Sequence, residues 1–373
     1  MRILIYSHPP YAQTGFGTVI RNLHSHLKEK HNVYIAPIVL NPGTPIRTEG
    51  ATILSMPGGL THSPKWIKYW VETLKIDLVI QHFDVWVLPE KWIKDIPCPV
   101  ITYAPVDSTP LPLNFVESVE GAALNIAMSK FAEEHFLAEK LPTKYIPHGV
   151  DLNIFKRSEQ AKKDIGEDNF IVGIVATNGS IRKNIAGQLR AFQLFSQIAP
   201  NAKLYLHTQV AKSTPDSIDI GEYAKRLGIE DKLLITTPED YAVGMPDQHV
   251  AYIYSCFDVL LQCTLGEGFG LPILEAQACG VPVIGTNFSA IPEIIGNGGI
   301  TVKEGTPITF SYSLSSMFMP DPKAISQALC DIYNFPELRK HLSLNAVKNA
   351  ETYSWDKIWP LWDEAIASCM ADK

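Results

Sequence analysis

The chain has 373 residues, 46% of them apolar and 19% charged, with a net charge of −7. That length exceeds one ordinary core and suits two domains of similar size, and the apolar content excludes a disordered chain. The negative balance, with no basic stripe, speaks against nucleic acid as a partner, because a phosphate backbone is held by clustered Lys and Arg.

The opening run 2-RILIY-6 reads as a buried strand and is too short for a signal peptide. A helix over 16–28 follows, with Val19, Ile20, Leu23 and Leu27 on one face, and then strands over 33–40, 77–82, 98–103 and 122–127. Ser129 is placed to cap a helix over 129–139, and a short run at 144–146 leads into 146-IPHGVD-151. Between the strands, 64-PKWIKYWVETLK-75 lines up Trp66, Ile67, Trp70, Val71 and Leu74 on one helical face. Such a stripe either packs on its own sheet or makes a peripheral contact with a membrane; the negative net charge favours packing.

The polar run 156-KRSEQAKKDIGEDN-169 reads as a linker, after which the alternation restarts. Strands over 170–176, 203–208, 232–236, 257–262 and 281–285 are separated by helices over 184–198, 221–227, 247–255 and 272–279. Short continuous apolar strands with helices between them imply parallel sheets covered on both faces. The expected fold class is therefore α/β, with two doubly wound, Rossmann-like domains facing a central cleft. The expected boundaries are 1–160, 161–350 and a C-terminal segment 351–373 that packs back on the first domain. Within that segment, 355-WDKIWPLWDEAIAS-368 has helical period, with a kink expected at Pro360. No repeat recurs, and no apolar stretch is long enough to span a membrane. Six cysteines without a C-x-x-C pair read as free thiols in a reducing compartment, so a cytoplasmic location is expected.

Ligands of open parallel sheets bind at strand C-termini, so strand-to-helix turns deserve most scrutiny. In 266-GEGFGLPILEAQACGVPVIGT-286, Glu267 lies on a glycine-rich corner and Glu275 about one turn into the next helix. Pro272 suits a first helical turn, where its missing N–H costs nothing. Glycines let a ligand approach the free N–H groups of that helix start, which makes a site for an anion or a hydroxyl-rich ligand. Glu275 and Glu267 can each accept hydrogen bonds from ligand hydroxyls. The basic pair Arg182–Lys183 stands at another helix start, where cations are disfavoured unless an anion binds there.

The segment 266–293, GEGFGLPILEAQACGVPVIGTNFSAIPE, closely resembles the E-x7-E signature of retaining nucleotide-sugar glycosyltransferases of the glycogen-synthase-like superfamily, which have the GT-B fold. Weaker similarity runs over nearly the whole chain, through 13-QTGFGTVIRNLHSHL-27, 129-SKF-131, 146-IPHGVD-151, 182-RKN-184 and 353-YSWDKI-358. The resemblance implies that Glu275 holds the ribose hydroxyls, that Glu267 contacts the donor sugar, and that Gly268 and the N–H groups of Phe269, Gly270 and Leu271 line the sugar and phosphate pocket. It implies that Lys183 neutralises the diphosphate leaving group and that Gly15 and Gly17 approach that diphosphate. Many relatives carry an arginine five or six residues before the lysine, where this chain has Asn178 and Thr177; Arg182 is the candidate replacement.

Read as a dinucleotide fingerprint, 14-TGFGTVI-20 fails, since Ile20 stands where the third glycine belongs. In 102-TYAPVDSTP-110, Val106 occupies the position of a histidine common among relatives, and His82 is the candidate substitute. A strand-end histidine is also ordinary structure. Asp107 either orients an acceptor hydroxyl or caps its turn. His148 belongs to the loop before the linker and shapes the cleft.

The expected reaction is transfer of a sugar from a nucleoside diphosphate sugar to an acceptor hydroxyl, with retention. No cofactor is expected, and no metal is required, because no Asp-x-Asp motif or His/Cys ligand spacing is present. The acceptor is left open among a glycan, a lipid-linked, a protein and a small-molecule hydroxyl. A phosphorylase or epimerase on the same fold, and a catalytically silent sugar-nucleotide-binding protein, are the competing readings.

Overall fold

The computed structural model describes residues 1–38, 43–48, 50–58, 63–166, 168–311 and 313–371. The chain divides into two compact units. The first comprises residues up to His148, the described part of 311–315, and the described residues from Ile358 onward; the second comprises the rest.

The first unit begins with β1 (Arg2–Ser7), α1 (Gly15–Leu27), β2 (Asn32–Pro37), β3 (Ile46–Thr48), β4 (Ala51–Ile53) and α2 (Ser63–Leu74). It continues with β5 (Leu78–His82), β6 (Val100–Thr102), α3 (Leu113–Val119), β7 (Leu124–Ala127), α4 (Lys130–Ala138) and β8 (Thr143–Tyr145). The sheet runs β3-β4-β2-β1-β5-β6-β7-β8. Every pairing in it is parallel except that of β3 with β4, so one edge is antiparallel. Ile3, Leu4 and Ile5 of β1 and Leu78, Val79 and Ile80 of β5 are fully buried, as two-sided cover demands. The apolar face of α2 is spent on this sheet: Ile67 and Val71 are core residues, Trp66, Trp70 and Leu74 pack against them, and Trp70 Nε1 donates to Ser55 O at 2.9 Å. Ile67 and Val71 of that stripe are buried, Trp66, Trp70 and Leu74 are half-buried, and Tyr69 beside it is exposed. The strand expected over 33–40 ends at Pro37; its last two residues lie outside the described residues.

The second unit holds α5 (Glu159–Asp164), β9 (Phe170–Val175), α6 (Ile185–Ser196), β10 (Ala202–His207), α7 (Ile220–Leu227), β11 (Leu233–Ile235), α8 (Pro238–Val243) and α9 (Asp247–Ser255). After these come β12 (Val259–Gln262), α10 (Leu271–Ala278), β13 (Val283–Thr286), α11 (Ile291–Ile295) and β14 (Gly299–Val302). A two-stranded sheet of β15 (Gly305–Phe310) and β16 (Ser315–Pro320) precedes α12 (Pro322–Asn334), α13 (Pro336–Thr352) and α14 (Trp355–Ala371). The main sheet is wholly parallel in the order β11-β10-β9-β12-β13-β14. Its order reverses between β9 and β12, and the loops after those two neighbours leave in opposite directions. An open sheet forms its ligand crevice at such a point.

The polar run read as a linker is ordered structure of the second unit in its described part. It contains α5, and Lys162 Nζ donates to Asp258 Oδ2 at 2.5 Å and to Asn169 O at 2.8 Å. The change of unit falls earlier, at His148–Gly149. From Ile358 the last helix belongs to the first unit, where Trp362 is buried edge-on to Tyr103 and Asp363 pairs with His26 and Lys30. That helix is continuous through Pro360. None of the six cysteines is joined in a disulfide among the described residues, and burial pushes Cys256 up to about 11 and Cys279 up to about 12.

Candidate functional site

In the second unit, the loop after β9 ends in a tight turn over Ile181–Lys183, and the loop after β12 carries Gly266–Gly270. Two buried side chains zip these loops together. Asn184, in left-handed conformation, donates from Nδ2 to Cys263 O at 2.8 Å. Gln188 donates from Nε2 to Lys183 O at 2.9 Å and accepts from Cys263 N at 3.2 Å. The backbone adds a bond from Leu265 N to Arg182 O at 2.8 Å.

That zipper fixes a charge cluster. Lys183 Nζ lies 2.8 and 3.0 Å from the two carboxylate oxygens of Glu267. Arg182 Nη1 donates to Glu267 Oε2 at 2.8 Å and to Gly266 O at 2.7 Å. Gln262 Nε2 reaches Glu267 Oε1 at 3.2 Å, and Glu267 N donates to Ser289 Oγ at 2.8 Å. The Glu267 side chain is 8% exposed, against 17% for Lys183 and 26% for Arg182, so the carboxylate lies deeper than its two cations. Burial pushes the Glu267 carboxyl up, but the charges and hydrogen bonds of Lys183 and Arg182 outweigh it and hold the group at about 2. One carboxylate against two cations leaves the cluster with a net positive charge, which suits an anion.

Beside this cluster α10 begins at Leu271, with Gly270 at φ 101° and Pro272 in the first turn. A Cβ on Gly270 would meet only the end of the Ile273 side chain, at 2.9 Å, so it is the positive φ that calls for glycine at the bend into the helix. Phe269 is buried, its ring edge-on to Tyr353 at 6.1 Å, which leaves its backbone as the part able to serve a ligand. Glu275 is half-buried on α10, and Tyr254 of α9 donates to its Oε2 at 2.8 Å. Burial, together with that carboxylate, holds the Tyr254 phenol far above its usual range, so the hydroxyl keeps its proton and remains a donor.

Sequence reasoning therefore named Arg182, Lys183, Glu267 and Glu275 but missed Tyr254, Gln262, Ser289, Asn184 and Gln188, which orient them. A glutamine closing the apolar strand VLLQ and an asparagine completing 182-RKN-184 were the available signals; Tyr254, on the buried face of α9, gave none. Asn178 is buried and bonds Gln209 O at 3.0 Å and Ile218 O at 2.7 Å, so that position is spent on pinning the loop after β10.

The first-unit candidates form their own group. Gly15 opens α1, whose cap is Thr14, with Oγ1 accepting from Gly17 N at 3.0 Å. Gly17 has a local reason to be glycine, because a Cβ there would collide with the Ala12 carbonyl oxygen. His82, at the end of β5, contacts Tyr103 O through Nδ1 at 2.7 Å and stacks on the Tyr103 ring at 4.7 Å. A carbonyl only accepts, so Nδ1 carries the hydrogen and Nε2 of the neutral ring is a buried lone pair with no partner among the described residues. Burial lowers His82 to about 4, with its bond to Tyr103 opposing and His8 adding to the fall. His148 Nδ1 lies 2.6 Å from the Tyr103 hydroxyl, and burial, with His82 nearby, holds it well below the usual histidine range. Asp107 is half-buried on the loop after β6.

Residues 171–333 match the family model described as glycosyl transferases group 1. Over that stretch the chain is similar to group 1 glycosyltransferases, and its fold is of the GT-B class. It is similar to O-antigen chain mannosyltransferase B of Escherichia coli, at 27% identity over 47% of this chain and 40% of the relative, so it spans less than half of that protein. In fold it matches sucrose-phosphate synthase of Thermosynechococcus elongatus, with a TM-score of 0.79 at 17% identity and full coverage of both chains. It also matches Alr3699/HepE of Anabaena in complex with UDP-glucose, with a TM-score of 0.71 at 16% identity, covering 99% of this chain and 100% of that one. The group 1 match covers the cluster and both glutamates. Among the described residues no helix is long and apolar enough to cross a membrane.

Proposed function

We propose that this chain transfers a sugar from a nucleoside diphosphate sugar to an acceptor hydroxyl, with retention and without requiring a metal ion. The observation that carries the reading is the meeting of Lys183, Arg182 and Glu267 at the switch point of the second sheet, beside the glycine-capped start of α10. A net positive cluster and free helix N–H groups are what a departing diphosphate needs as charge builds on its oxygens. The UDP-glucose bound by the similarly folded Anabaena protein supports a donor of that class.

In this reading Glu275, oriented by Tyr254, accepts from the ribose hydroxyls, and Glu267 accepts from the donor sugar. Lys183, Arg182 and the N–H groups of Phe269, Gly270 and Leu271 face the diphosphate. The bond from the anomeric carbon to the β-phosphate oxygen breaks, with its electron pair passing to that oxygen. The acceptor oxygen bonds to the same face of the anomeric carbon, and its proton passes to the departing phosphate. The protein contributes position and electrostatics, not a covalent nucleophile. His82, His148 and Asp107 of the first unit are assigned to the acceptor.

A thermal-shift panel of nucleoside diphosphates and their sugars tests the reading, since a ligand of the folded state raises its stability with concentration. One base and one sugar should stand out. Product analysis should then give the donor's anomeric configuration, unchanged by a chelator. No response to any nucleotide sugar would refute the reading; binding with neither transfer nor donor hydrolysis would favour a silent binding protein.

A further inference from the structure

The two cations assigned to the leaving group are already occupied: Lys183 contacts both carboxylate oxygens of Glu267, and Arg182 contacts one of them. Both cations are more exposed than the carboxylate that joins them, so an incoming anion reaches them first. Two oxygens bridging two cations is also the bonding pattern a phosphate offers. We propose that Glu267 is an internal stand-in for the diphosphate, displaced from Lys183 and Arg182 when the donor binds and thereby freed to accept from the donor sugar. This inference rests on the transferase reading and gives that reading an order of events.

The surroundings allow the exchange. Glu267 keeps two supports outside the ion pairs: Gln262 Nε2 on Oε1 and Ser289 Oγ on its backbone N–H. The carboxylate can therefore leave the cations without losing every partner or the loop its shape. Arg182 also keeps Gly266 O, so it stays aimed at the site while its carboxylate contact is exchanged. The device gives specificity against lone anions. A phosphate without its sugar displaces Glu267 and leaves that carboxylate with no hydroxyl to satisfy it, whereas the intact donor supplies both partners. Sugar and diphosphate are then felt together, through one side chain.

The test is calorimetric titration of the full chain and of Glu267→Gln with nucleoside diphosphate, with inorganic pyrophosphate and with the phosphate-free nucleoside. The neutral amide no longer competes, so nucleoside diphosphate and pyrophosphate should bind about tenfold tighter or more. The nucleoside should bind as before, and turnover with the sugar donor should fall. Equal or weaker binding of both anions by the folded variant overturns the inference, as does an equal gain for the nucleoside. A structure of the unaltered chain with nucleoside diphosphate decides the matter even where the variant does not fold. Lys183 should then be bonded to phosphate and parted from Glu267; Lys183 still clasping both oxygens, with the phosphate elsewhere, overturns it. Failure of the unaltered chain to bind any nucleoside diphosphate overturns the transferase reading and this inference together, whereas binding without the exchange removes the inference alone.

Discussion

Replacing Lys183 by Met removes the charge that contributes more of the two to holding Glu267 ionised, while keeping most of the side chain's bulk. Glu267 is lowered from 4.5 to about 2 in the folded chain, against the net upward push of its own burial. At 1.36 kcal/mol per pKa unit, that gap corresponds to about 3 kcal/mol of stability linked to its ionisation. A depressed acid contributes above its unfolded value, so the contribution is complete above about pH 5 and is lost as pH falls from 4.5 through 2. In Lys183→Met Arg182 is the one cation of the pair left to oppose burial, the folded value rises, and most of this pH dependence disappears. We expect the variant to be less stable by about 2–3 kcal/mol at pH 7. The difference should shrink to below about 1 kcal/mol near pH 2, where Glu267 is about half protonated in the unaltered chain and protonated in the variant. Urea unfolding of the full chain and its variant, followed across pH 2–7, reads that difference directly. A stability gap that stays constant over the range would refute the assignment of Lys183 as the chief partner of Glu267.

Tyr254→Phe keeps the buried ring and deletes only the hydroxyl on Glu275. A hydrogen bond to a charged group contributes about 1.5–3 kcal/mol, so nucleoside diphosphate affinity should fall by about tenfold or more, and the preference for a ribose over a deoxyribose ligand should narrow. An unchanged ribose preference in calorimetry would mean that Glu275 does not read those hydroxyls through this partner. His82→Gln tests the buried neutral histidine: its folded value of about 4 lies below the ordinary 6.5, so its stability contribution is present above pH 6.5 and lost as pH falls towards 4. The variant should lose stability less steeply over that interval, and identical slopes would refute the neutral assignment.

How much of this was legible follows from which features are local. Continuous apolar runs gave nearly every strand of the two main sheets through β13, and Ser129 caps α4 as read, with its Oγ accepting from Ala132 N at 3.1 Å. The glycine corner and Pro272 located the start of α10 to within one residue. The polar run 156–169 misled because charge composition does not say whether a lysine is solvated or bound, and Lys162 is bound to Asp258. The stretch after β13 escaped because β15 is mostly exposed and α13 has only three buried residues, so the apolar signal of each is weak. The ion cluster is non-local in the strict sense. Lys183 and Glu267 stand 84 positions apart, and only the adjacency of β9 and β12 brings their loops together.

The backbone around the cluster bears on its function as much as the charges do. Asn184 at φ 50°, Gly270 at φ 101° and Ser289 at φ 53° all lie in the left-handed region, and each adjoins Lys183 or the Glu267 loop. For the two non-glycine residues this conformation costs about 1–2 kcal/mol apiece. Each nevertheless has a bond that repays the position: Asn184 to Cys263 O, and Ser289 to the N–H of Glu267. Strain of this kind persists where a geometry is over-determined by its neighbours. Here the neighbours fix the turn that presents Lys183 and the loop that presents Glu267. Relaxing either turn would spare the backbone and misplace one member of the pair, so the cluster is held as a geometry and not as an incidental ion pair of the fold.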